Sequence, residues 1–131
     1  MLGLDTNVLV RFLVRDDAAQ YERARKLIKR EVDQGQQLFV SLMVLLELEW
    51  VLRSRYAFSK AEILEVMSHF LDAAEISFED ESTLEEALFL WDESSADFAD
   101  CMIGAKHRRQ GCRATVSFDA KAIKLPMFVA V

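Results

Sequence analysis

One proline and four glycines in 131 residues leave the chain few places to break. That scarcity excludes collagen-like, proline-rich and linker-rich architectures. Cysteine and histidine are equally sparse. Cys101 and Cys112 form no CxxC pair, and His69 and His107 lie far apart. A structural zinc site is therefore not expected, and the two thiols fit a reducing compartment. No apolar run approaches the roughly 20 residues that a membrane span requires. No Lys or Arg precedes the N-terminal apolar stretch, and Asp5 interrupts it. Neither a signal peptide nor a membrane partner is expected, and the expected location is cytoplasmic.

Positive charge is missing from one whole region. Between Ala61 and Ala105 there is no Lys or Arg, against thirteen Asp and Glu. From Lys106 onward the sign reverses, so the net charge of −6 conceals a strongly uneven distribution. Such a surface can hold cations at an acidic centre and a polyanion at its rim.

An apolar fraction of 52% excludes a disordered chain and fits one domain spanning residues 1–131, with no internal repeat or linker. Leu2 to Leu4 reads as a short buried strand. "TNVLVRFLVRDD" starts a helix with Thr6 or Asn7 as its cap. In "AAQYERARKLIKREVDQG", Tyr21, Ala24, Leu27, Ile28 and Val32 recur at helical spacing, and Gly35 suits the position past its end. "QLFVS" reads as a strand, and "LMVLLELEWVLRSRY" has the length of a helix. "SKAE" at Ser59 to Glu62 is a capping box, and Ser82–Glu85 reads as another. "EISFE", "RATVSF" and "MFVAV" read as strands. "DFADCMIGAKHRRQG" reads as a helix with Phe98, Cys101, Met102 and Ala105 inward and Gly111 as terminator. Alternating strands and helices predict an α/β fold with a mainly parallel sheet.

In open parallel sheets, ligands bind beyond the carboxyl ends of the strands. Asp5 follows the first predicted strand, and Asp119 follows "ATVSF". Asp97 and Asp100 fall in the first turn of one helix, on one face. Glu47 lies among Met43, Val44, Leu45, Leu46, Leu48, Val51 and Leu52, the most apolar helix of the chain. Each acid alone has a bland account as cap, turn residue or surface charge. Gathered at one sheet edge, they would raise one another's pKa or bind a cation. Oxygen ligands without Cys or His point to Mg²⁺ or Mn²⁺, ions suited to hydrolysis at phosphorus.

Taken together, "DTNVLV", "SLMVLLELEWVL", "DFADCMIGAKHRRQG" and "TVSFD" resemble the PIN-domain family, with VapC-type toxins of prokaryotic toxin–antitoxin pairs the nearest likeness. The resemblance implies a three-layer α/β/α fold with a mainly parallel central sheet, and a metal-dependent endoribonuclease using Mg²⁺ or Mn²⁺. It carries the family's acidic quartet onto Asp5, Glu47, Asp100 and Asp119, with Asp5, Asp100 and Asp119 as metal ligands and Glu47 serving the attacking water. Asp97 is an accessory acid, and Thr6, Asn7 and Ser117 match small polar positions beside the metal. Ser117 stands where Thr is commoner, and a hydroxyl is kept. Arg11, Arg15, Lys106, Arg108, Arg109 and Lys121 are candidates for contacts to the RNA backbone. The likeness also implies a homodimer and a small antitoxin partner. Two other readings remain: a PIN-like module that binds RNA or protein without catalysis, and a small Mg²⁺-dependent phosphatase. The phosphatase chemistry needs a second acid two residues after the first, where this chain has Asn7.

Overall fold

The computed structural model describes residues 1–131, which form two compact units, Met1–Glu79 and Asp80–Val131. The first unit runs β1 (Leu2–Gly3), α1 (Thr6–Val14), α2 (Ala18–Asp33), β2 (Leu38–Val40), α3 (Leu42–Arg55), α4 (Lys60–Asp72) and β3 (Ile76–Phe78). Its strands form a sheet in the order β1-β2-β3. All are parallel, with Gly3 opposite Phe39 and Phe39 opposite Ser77. Parallel pairing needs a crossover between neighbouring strands, and the helices provide it. All three carboxyl ends therefore lie on one edge, where Asp5, Ser41 and Glu79 follow their strands. Leu38, Val40, Leu45, Leu48, Leu52, Ile63 and Met67 are buried to 2% exposure or less and form the apolar heart of this unit.

Local chemistry explains the helix starts. Ser41 accepts a hydrogen bond from Val44 N at 3.2 Å and caps α3. The expected box at Ser59 is complete: its hydroxyl accepts from Glu62 N, and the Glu62 carboxylate accepts from Ser59 N. At α1 the cap is Asp5 rather than Thr6 or Asn7. Its extended backbone accepts from Val8 N at 3.1 Å, while its side chain makes no capping bond.

The second unit runs α5 (Glu81–Asp92), α6 (Phe98–Arg109), β4 (Thr115–Ser117), a 3-10 turn (Ala122–Lys124) and β5 (Phe128–Ala130). Here β4 and β5 pair in parallel as a second, two-stranded sheet. The parallel α/β expectation is met, with the ladders divided between the units. Leu84, Ala87, Leu88 and Trp91 of α5 and Phe98, Cys101, Met102 and Ala105 of α6 are buried. The Trp91 and Phe98 rings meet edge-on at 5.2 Å. The second expected capping box is not formed. Asp80 caps α5 instead, accepting from Thr83 N at 3.0 Å and from the Thr83 hydroxyl at 2.7 Å.

Gly104 lies inside α6, where glycine is disfavoured. A Cβ there would lie 2.5 Å from Phe128 Cε2 and 2.9 Å from Met127 Cγ. The bare backbone lets α6 lie directly on the segment that enters β5, which outweighs the roughly 1 kcal/mol helix penalty of glycine.

Candidate metal centre

Three acids of the second unit converge. Asp97 stands immediately before α6, Asp100 in its first turn, and Asp119 two residues beyond β4. One carboxylate oxygen from each lies within 4.8 Å of the others. Asp97 occupies the cap position but makes no capping bond. The 97/100 spacing places both acids on one face of the helix start. Asp119 is brought in by a tight turn. The Ser117 hydroxyl accepts from Asp119 N at 3.0 Å, and Asp119 Oδ1 accepts from Lys121 N and Ala122 N at 2.8 and 2.9 Å. Those bonds occupy Oδ1 and leave Oδ2 without a backbone partner.

No Lys or Arg forms a salt bridge to any of the three. The cost appears at Asp100: burial first, then the charges of Asp119 and Asp97, push its carboxyl above the ordinary range. An all-oxygen set of mutually repelling carboxylates without a protein counter-charge fits a hard divalent cation.

In the first unit, Asp5 is exposed at the carboxyl end of β1, and Asn7 is exposed within α1. Thr6 between them is 2% exposed, and its Oγ1 is buried without a hydrogen-bond partner. Such an orphan costs about 1–3 kcal/mol. On α3 the two neighbouring acids part company. Glu47 is exposed, whereas Glu49 is 5% exposed and bound to Arg53 Nε at 2.8 Å. Glu49 is thus the structural acid of this helix, and Glu47 is accessible for chemistry.

A family profile described as "PIN domain" matches residues 3–126. The chain belongs to the PIN-domain family. This PIN domain is also similar to the "VapC ribonuclease" of Aquifex aeolicus (strain VF5), with 29% identity over 122 residues that cover 93% of this chain and 90% of the relative. Similarity of that extent runs through both compact units.

The cations of the PIN domain are mostly engaged. Arg11 contacts Asp16, Gln20 and Tyr56, and Arg15 stacks on the Tyr21 ring at 4.6 Å. Lys106 pairs with Asp80, and Arg108 and Arg109 both reach Glu86. Lys121 is exposed in the turn that holds Asp119. Sequence reasoning overlooked Glu79. Its Oε1 accepts from Leu42 N at 3.0 Å, so a carboxylate at the end of β3 steadies the start of the helix that carries Glu47. The available signal was an acid immediately after a predicted strand, in "EISFE". No helix of the chain is long and apolar enough to cross a membrane.

Proposed function

We propose that this PIN domain is a metal-dependent endoribonuclease and the toxin of a type II toxin–antitoxin pair. The observation that carries the reading is the uncompensated cluster of Asp97, Asp100 and Asp119. Support comes from similarity to a protein named VapC ribonuclease over 93% of the chain. Asp100 and Asp119 would hold Mg²⁺ or Mn²⁺, with Asp97 flanking them. Such an ion, when bound, lowers the pKa of water and neutralises charge building on a phosphate. By family resemblance, Asp5 is assigned as a further ligand and Glu47 as the base that orients water and accepts its proton. Thr6, Asn7 and Ser117 are assigned to orienting carboxylates or water, and the Ser117 hydroxyl already does so for the turn at Asp119. In-line attack on an RNA phosphodiester would leave a 5′-phosphate and a 3′-hydroxyl.

The same reading makes residues 1–131 one catalytic domain, active as a homodimer in the cytoplasm and silenced by a small antitoxin. Incubating the purified protein with end-labelled RNA in Mg²⁺ or Mn²⁺, beside Asp100→Asn, tests the catalytic core. Metal-dependent cuts bearing 5′-phosphates are expected from the wild type, with activity lower by orders of magnitude in the variant. Equal cleavage by both proteins would remove the acidic cluster from the mechanism. RNA binding without cleavage by the wild type would make this a binding module.

A further inference from the structure

We propose that the groove between α1 and α2 is a track for the sugar–phosphate backbone of single-stranded RNA. The inference rests on the ribonuclease reading and names a surface that would hold its substrate. The groove encloses about 560 Å³, and Arg11, Arg23, Lys26 and Arg30 line it without a single carboxylate. Three cations with no counter-ion closer than 4.0 Å, beside the paired Arg11, concentrate positive charge on one cleft of a chain whose net charge is −6.

The geometry of α2 sets the spacing. Arg23, Lys26 and Arg30 stand at i, i+3 and i+7, so they form one stripe about 10 Å long. Arg23 and Lys26 make no salt bridge, and Arg30 reaches only Glu31, at 4.0 Å. Their charges are therefore available, and all three residues are exposed. Arg11 differs in being fixed by Gln20, Asp16 and Tyr56, which makes it a rigid post at the α1 side.

Val8, Ala24 and Leu27 give the groove an apolar floor beneath this rim. Phosphates suit the rim, and riboses or base faces suit the floor. Asn7, in the first turn of α1, also lines the groove. A cationic rim over an apolar floor matches a chain of phosphates and bases, which favours the substrate over an acidic protein segment as the occupant.

The test measures binding in EDTA, where cleavage is absent. Fluorescein-labelled oligo(U) is titrated by anisotropy across a KCl series, comparing wild type with the triple variant Arg23→Gln/Lys26→Gln/Arg30→Gln. Each lost phosphate contact lowers the slope of log affinity against log salt by about 0.7 for a single strand, so the triple variant should lose roughly 2. Arg25→Gln/Lys29→Gln is the control, because those cations pair with Glu22 and Asp33 and do not line the groove. Its slope should match the wild type.

An unchanged slope in the triple variant overturns the track, and so does a wild type that shows no salt-dependent RNA binding. Loss of binding to a poly-glutamate peptide with RNA binding intact would identify a protein surface, which also overturns it. Cleavage assayed separately in Mg²⁺ keeps the two readings apart. A wild type that cuts RNA while the triple variant keeps its slope leaves the nuclease standing and the track refuted. Binding with the expected slope loss but no cleavage does the reverse.

Discussion

Lys106 Nζ lies 2.8 Å from Asp80 Oδ2 and ties the last turn of α6 to the residue that caps α5. Asp80 also accepts from the amide and hydroxyl of Thr83, so one carboxylate starts a helix and joins it to its neighbour.

This pairing predicts an acid-sensitive term in stability. The hydrogen bond from Lys106, then those from Thr83, hold Asp80 down to about 2 from 3.8. A folded pKa below the unfolded one means the stabilisation is complete above about pH 4 and is lost as pH falls toward 2. Asp80→Asn keeps a competent cap but loses the charge. It should cost on the order of 1–2 kcal/mol at pH 7 after allowance for solvent screening. Urea unfolding at pH 7, 4 and 2.5 should show that gap closing at the acid end. A gap independent of pH would assign the effect to packing.

Gly104→Ala should destabilise by about 1–3 kcal/mol through overpacking, despite alanine's better helix propensity. The new methyl would meet the buried Phe128 ring at 2.5 Å, and only the Met127 side chain beside it can yield readily. Denaturant midpoints compare the two proteins. A stabilised alanine variant would mean that β5 shifts away at little cost.

Thr6→Val separates stability from activity. Removing a buried hydroxyl without a partner should leave stability unchanged or raise it by up to about 1 kcal/mol. On the proposed function, RNA cleavage should fall at the same time. A thermal melt that drops by several degrees would show that the hydroxyl has a partner in solution.

Neighbouring acids of α3 should respond in opposite ways. Glu49→Gln breaks the charge pair of a nearly buried carboxylate with Arg53 and should lower stability. Glu47→Gln alters an exposed residue and should unfold like the wild type while losing cleavage. Paired melts and RNA digests decide this, and equal activity in the two variants would count against Glu47 as the base.

Asp100→Asn should raise the melting temperature in EDTA, because it removes one of three crowded charges. Manganese should then stabilise the wild type, with little effect on the variant, since a ligand stabilises only the state that binds it. Equal manganese shifts would place the ion elsewhere.

What the chain determined by itself is everything set by short-range geometry. The 3.6-residue recurrence of Leu84, Leu88 and Trp91, the Ser59–Glu62 box and the terminator Gly111 each act within a few residues, so helices and strands were legible without coordinates. The i, i+3 pairing of Asp97 and Asp100 follows from the same periodicity. Long-range packing decided the rest. Asp80 caps α5 in place of Ser82 through its bonds to Thr83, and Lys106, 26 residues away, adds a contact that no local pattern foretells. Two acids within one apolar run, Glu47 and Glu49, were told apart only by packing, which buries Glu49 and leaves Glu47 exposed. Asp119 joined the acidic cluster through a turn after β4, and the cations of α2 became a groove only when α1 packed beside them. Local backbone geometry repeats whatever the fold, but which side chains meet across space depends on how the elements pack.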